Sequence, residues 1–129
     1  MQMTTNFKNY LKTLDVADFF YVGKIDNAKE KVIGVYAVGR QARVEAIGRN
    51  SSYDIATLRI LVHWNKNAKE TEIAARELFE KIRYITDTDM GDTHVDYVDI
   101  MDGEPMFIGS DENGVYEYHI SLRVYYRRK

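Results

Sequence analysis

The residues of this chain best suited to chemistry are its carboxylates and histidines. Seven carboxylates crowd residues 87–104: Asp87, Asp89, Asp92, Asp96, Asp99, Asp102 and Glu104. Clustered acids can hold a divalent cation or divide the roles of general acid and base. The run Asp87-Thr88-Asp89-Met90-Gly91-Asp92 superficially resembles a calcium loop. An EF-hand, however, needs a ligand at its fifth position, glycine at its sixth and glutamate at its twelfth. Here those places hold Gly91, Asp92 and Val98. The match fails, and the segment reads as a solvated acidic rim rather than a metal site.

The histidines His63, His94 and His119 show neither HxH nor HExxH spacing. His63 and His119 fall on the polar sides of their strands, where they are candidate cross-strand neighbours with structural or surface roles. No GxSxG, P-loop or GxGxxG motif occurs, and Glu80-Lys81 reads as a solvated helix-surface pair rather than part of a magnesium nuclease. The chain has no cysteine, which removes disulfides, thiolate metal sites and cysteine nucleophiles. The expectation is a protein that is not an enzyme and needs no cofactor or metal.

Two groups of basic residues remain, Arg40, Arg43 and Arg49 in one segment and Arg123, Arg127, Arg128 and Lys129 at the other end. Tyr125 and Tyr126 lie among the latter and could stack on bases. A formal net charge of −2 argues against a dedicated nucleic-acid binder. The favoured reading is a charged strand end that maintains solubility and blunts a sheet edge.

The elements that must position these groups follow from periodicity. Thr4 or Thr5 is placed to cap a first helix carrying Phe7, Tyr10, Leu11 and Leu14 at helical spacing. Residues 19–25 and 32–38 read as a β-hairpin around a polar turn. Residues 39–52 are irregular, arginine-bearing and glycine-bounded, with a short strand expected near 44–47. Residues 55–64 form a strand with Ala56, Leu58, Ile60, Val62 and Trp64 on one face. Asn67 then caps a helix running to about Ile85, with Glu70 in the capping-box position and Ala74, Leu78, Ile82 and Ile85 as its buried stripe. Residues 86–93 read as a polar loop and 94–101 as a strand, followed by a short extension at 106–108. After the turn Asp111-Glu112-Asn113-Gly114, residues 115–126 give the cleanest alternation in the chain. Tyr116, Tyr118, Ile120, Leu122, Val124 and Tyr126 fill one face, while Glu117, His119, Ser121 and Arg123 fill the other. One buried and one wet face is the signature of an antiparallel sheet.

The expected fold is therefore α+β, with a mixed, mainly antiparallel sheet of about five strands and two main helices packed on it. A length of 129 residues fits one domain, 1–129, with an apolar fraction of 45% sufficient for one core. Ten tyrosines suit half-buried strands and interfaces with one wet edge. The polar start Met1-Gln2-Met3-Thr4-Thr5 lacks a signal-peptide core, and no stretch approaches the ~20 apolar residues of a membrane span. These features lead to the expectation of a cytosolic chain that has no membrane partner.

Three segments read together resemble a known family. Ser52-Tyr53 leads into a strand ending Leu61-Val62-His63-Trp64-Asn65-Lys66-Asn67, followed by the helix Glu70-Thr71-Glu72-Ile73-Ala74-Ala75. Pro105-Met106-Phe107-Ile108-Gly109 precedes Asp111-Glu112-Asn113-Gly114-Val115-Tyr116-Glu117, and the chain closes Val124-Tyr125-Tyr126-Arg127-Arg128. From about Phe20 onward this resembles the minor capsid proteins of tailed bacteriophages, a family similar to the tail terminators of long-tailed phages.

The resemblance implies a virion structural protein from a phage or prophage that assembles into a ring, expected to be a hexamer. The ring would cap the tail tube, meet the head connector and pass DNA without recognising its sequence. Its place would be the head–tail interface of the virion, after synthesis in the host cytoplasm. A head-completion or stopper protein, a non-phage α+β binding module and a metal-dependent hydrolase built on the acidic segment are the alternatives. Ring contacts are head-to-tail, so each subunit must offer two different patches. The candidates are Arg40, Arg43 and Arg49 facing Asp87, Asp89 and Asp92 of a neighbour, with Glu117, His119 and Arg123 as a further contact face.

Overall fold

The computed structural model describes residues 2–38, 42–44 and 53–129, the middle segment through its backbone alone. The elements run α1 (Met3–Lys12), β1 (Phe19–Val22), β2 (Val32–Ala37), β3 (Ala42–Val44), β4 (Tyr53–His63), α2 (Ala68–Arg83), β5 (Thr86–Met90), β6 (Thr93–Ile100), β7 (Met106–Ser110) and β8 (Tyr116–Arg128). Six strands follow one another across the sheet in the order β1-β2-β4-β8-β6-β5. The short strands β3 and β7 pair with β4 and β8 respectively. Every pairing is antiparallel except β1 with β2.

The α+β class and the mixed, mainly antiparallel sheet agree with the sequence reading, but the sheet exceeds about five strands. The main omission is β5. Its sequence Thr86-Asp87-Thr88-Asp89-Met90 is polar because four of its five residues are exposed or half-buried at the sheet edge. The expected loop at 86–93 is thus the β5–β6 hairpin, with Met90 opposite Thr93 and Gly91-Asp92 as its turn. Gly91 has φ +59, and a Cβ there would lie 2.4 Å from the Asn6 Oδ1 atom. Asn6 is buried on α1 and donates through Nδ2 to Asp92 Oδ1 at 2.9 Å, tying the helix to the turn. Gly91→Ala should destabilise the chain by about 2 kcal/mol in urea unfolding, since it adds left-handed strain and displaces Asn6.

The hairpin expected from residues 19–38 is also corrected. Phe19 pairs with Val32 and Val22 with Val35 in parallel register. Gly23, at φ +77, ends β1, and residues 23–31 carry the chain back to the same end of the sheet. A Cβ on Gly34 would lie 2.6 Å from Ile25 Cγ2, so this return passes across the sheet at Gly34.

Both helices pack on one sheet face. Phe7 and Leu11 of α1 share a core with Leu78 and Ile82 of α2, Ile33 and Val35 of β2, Leu58 and Ile60 of β4, and Ile120, Leu122 and Val124 of β8. In α2 the buried stripe is Thr71, Ala75, Leu78, Phe79 and Ile82, one residue displaced from the expected Ala74. Helix α1 begins at Met3 after Gln2 and has no side-chain cap, so neither Thr4 nor Thr5 plays that part. Asn67 does cap α2, accepting from the Glu70 amide at 3.0 Å. Glu70 reaches Asn65 Nδ2 at 3.0 Å, while Asn65 Oδ1 takes the Asn67 amide, so a third side chain mediates the capping box. Asn67→Ala should cost about 1 kcal/mol by thermal or urea unfolding.

Candidate functional site

The acidic residues expected to form a free rim are largely engaged within the chain. His94 sits between two carboxylates, Nδ1 2.7 Å from Asp89 Oδ1 and Nε2 2.7 Å from Asp87 Oδ1. Arg127 grips Asp96 through two nitrogens at 3.2 and 2.7 Å. Lys129 Nζ lies 3.6 Å from Asp89 and Arg128 Nη1 4.0 Å from Asp92. The basic end of β8 therefore neutralises part of the β5–β6 hairpin of its own chain. Nothing local in the sequence signals these pairs, which join residues about thirty or more positions apart.

The hydrogen bond to Asp89 and then that to Asp87 raise the pKa of His94 above the ordinary imidazole value of 6.5. The stabilisation from His94 is therefore complete below about pH 6.5 and is lost as pH rises through the raised folded value. Asp89 is lowered, first by the His94 hydrogen bond and then by the Lys129 charge. Its stabilisation is present above the ordinary carboxylate value and is lost on acidification through the lowered one. An NMR titration of His94 should show a midpoint above 6.5 that returns toward 6.5 in the double variant Asp87→Asn, Asp89→Asn. A native midpoint at the ordinary value would contradict this geometry.

The sheet face opposite the helices carries the other candidates. His119 lines an open cleft of about 510 Å³ with Tyr36, Val38, Arg59, Leu61 and Ile108. Arg123 is exposed, opposite Thr57 on β4 and Asp99 on β6. Glu117 is turned inward instead, with Oε2 2.7 Å from His63 Nδ1. The structure thus brings Asp87 and Asp89 together through His94 and separates them from Glu117, His119 and Arg123 on β8. Arg40 and Arg49 lie outside the described residues, and Arg43 is described only as a backbone position in β3.

His63 departs from its expected place on a wet face, for its side chain is wholly buried. It pairs with Glu117, and the opposite number of His119 is Leu61. Val32 lies opposite it in register and is buried outside the main core. Asp111 Oδ2 approaches His63 Nδ1 to 3.8 Å. The Asp111 Oδ1 atom meanwhile accepts from the Asn113 and Val115 amides at 2.9 and 3.0 Å, shaping the β7–β8 turn. Among the described residues, His63, Asp111 and Glu117 are a group whose ligand atoms all lie within 4.8 Å of one another.

A second feature missed from sequence is the apolar surface of β7. Met106, Phe107 and Ile108 are 44%, 58% and 51% exposed, and Met101 on the same flank of β8 is 48% exposed. Phe107 leans edge-on against Tyr118, with ring centroids 5.3 Å apart. Among the described residues β7 has one strand partner, β8. The signal was the unalternated run Met106-Phe107-Ile108 in a short strand. Exposed apolar side chains grouped on an edge strand mark contact surfaces.

The structure is an α+β protein with three distinctive surface features: a two-signed hairpin, a cleft on the open sheet face and an apolar edge. The sequence matches the family described as bacteriophage tail terminator protein over residues 10–128, and the chain belongs to that family. That membership makes it a structural protein of the bacteriophage tail and agrees with the resemblance read from the strand, turn and C-terminal motifs. No curated protein matches the chain. Among the described residues no helix is long and apolar enough to cross a membrane.

Proposed function

We propose that the chain is the ring-forming subunit that ends the phage tail tube and joins it to the head connector. Family membership supports the tail assignment. The observation that carries the reading toward assembly is the apolar group on β7, because three consecutive large residues there remain about half exposed. Burying that strand against a neighbouring subunit or the tube removes apolar surface from water and covers a sheet edge. In this reading the chain acts as a single domain, the ring is a hexamer at the head–tail interface of the virion, and DNA passes through its channel without base recognition.

The proposed subunit contact is head-to-tail. Asp87, Asp89 and Asp92 keep 85%, 62% and 51% side-chain exposure despite their internal partners. They remain able to meet Arg40, Arg43 and Arg49 of a neighbour, while His119 and Arg123 present the open face of β8. Glu117 contributes less directly, since it is held by His63. Light scattering on the Arg40→Glu, Arg43→Glu variant should show a weakened ring, more so at low salt, because exposed charge pairs are screened by ions. The same oligomer with the same salt response would remove charge pairing from the account. A stopper protein would cap the head connector and leave free tube ends untouched, which separates that role from the proposed one.

A further inference from the structure

We infer that His63, Asp111 and Glu117 form a binding site for one divalent transition-metal ion of the zinc class. The three residues come from the end of β4, the β7–β8 turn and the start of β8. Their ligand atoms, His63 Nδ1, an Asp111 oxygen and a Glu117 oxygen, converge within 4.8 Å. His63 is wholly buried, and the Asp111 and Glu117 side chains are 14% and 18% exposed. A ligand here is therefore shielded from competing water on most sides.

The hydrogen bonding leaves a gap that a cation fills. A proton on His63 Nδ1 serves Glu117 at 2.7 Å, yet Asp111 Oδ2, 3.8 Å away, is buried and has no hydrogen-bond donor among the described residues. Its sister atom Oδ1 is already committed to two turn amides. A buried carboxylate oxygen with no donor is costly. One ion between the three groups would serve both carboxylates at once. His63 Nε2 has no hydrogen-bond partner among the described residues, and it carries the ring proton once Nδ1 holds the ion.

The two separations from His63 Nδ1 are close to what coordination needs. Ligand atoms at about 2.0–2.1 Å from a tetrahedral zinc ion lie roughly 3.3 Å from one another. The Nδ1–Oε2 separation must open from 2.7 Å and the Nδ1–Oδ2 separation close from 3.8 Å, both changes of about half an ångström. Binding displaces the proton from Nδ1, so affinity should fall with acidification. One imidazole with two carboxylates suits zinc, cobalt or manganese, whereas magnesium and calcium prefer oxygen alone. Three protein ligands leave a fourth position for water or a group from another subunit. His94 is not an equivalent site, because Asp87 and Asp89 engage opposite nitrogens of its ring and cannot share an ion with it.

The full chain, free of any histidine tag and stripped with chelator, should be titrated with Zn²⁺ at neutral pH by calorimetry. One ion per chain is expected. Asp111→Asn and Glu117→Gln should each weaken binding at least tenfold, and His94→Gln should leave it unchanged. These substitutions spare the buried His63, and a melting curve establishes that each variant is folded. Zn²⁺ should raise the melting temperature of the native chain and not that of Asp111→Asn. Absence of saturable Zn²⁺ binding, binding retained in the Asp111→Asn, Glu117→Gln double variant, or loss of binding in His94→Gln would each overturn the assignment.

Discussion

Leu122→Ala is expected to destabilise the chain by about 3 kcal/mol, within a span of roughly 2–5 for a buried leucine. Leu122 has no exposed surface and stands between Leu58 of β4 and Ile100 of β6. Its strand β8 joins β4, β6 and β7, so a cavity there cannot be closed by moving a single neighbour. Domains of this kind are stable by only about 5–15 kcal/mol, so the loss is a large share of the total. The melting temperature should fall by about 10 °C or more, taking ~3–5 °C for each kcal/mol at this length. Leu61→Ala provides the contrast, because Leu61 lies half-buried on the opposite face. Equal losses for the two leucines would contradict the assignment of faces.

Phe107→Asp should have the largest effect on assembly. Phe107 is more than half exposed, so its mutation removes little folded-state burial beyond its ring contacts with Tyr118 and Tyr116. A carboxylate at that position would have to be desolvated in any interface that covers β7. The expected result is at least a tenfold loss of ring formation or of attachment to tube ends, with a melting temperature lowered by only a few degrees. Sedimentation of the variant with preformed tail tubes reads the first quantity and calorimetric melting the second. Undiminished attachment would exclude β7 from the interface.

How much of this was legible in the sequence depended on whether a pattern was local. The alternation along β8 and the run of Ala56, Leu58, Ile60 and Val62 on β4 identified the central pair and its buried face. The Asn67 cap was equally readable, because a side-chain oxygen three residues before an amide is a local feature. The β1–β2 connection was not. Its residues suit either a hairpin or a parallel return, and the structure has the parallel return, with Ile25 lying close over Gly34.

Strand β5 was hidden because an exposed edge strand need not carry apolar alternation. In β6 the bulge between Val95 and Tyr97 lets both Val95 and Val98 face the core, which strict alternation forbids. The candidate site was less legible than the fold. His63 followed the alternation onto the polar face, but Glu117 and the Asp111 turn enclose it there. The pairing of Arg127 with Asp96 depends on strands meeting across the sheet. The family resemblance rested on residue order and lay in segments now seen as β4, α2, β7 and β8, yet it assigned no role to the exposed face of β7.

The central claim is that this chain ends a tail tube, and negative-stain microscopy of tubes grown from tail-tube protein tests it most directly. Tubes grown with the chain present should stop lengthening and carry ring density at one end. Tubes that continue to grow with bare ends, at the same rate as without the chain, would contradict the account.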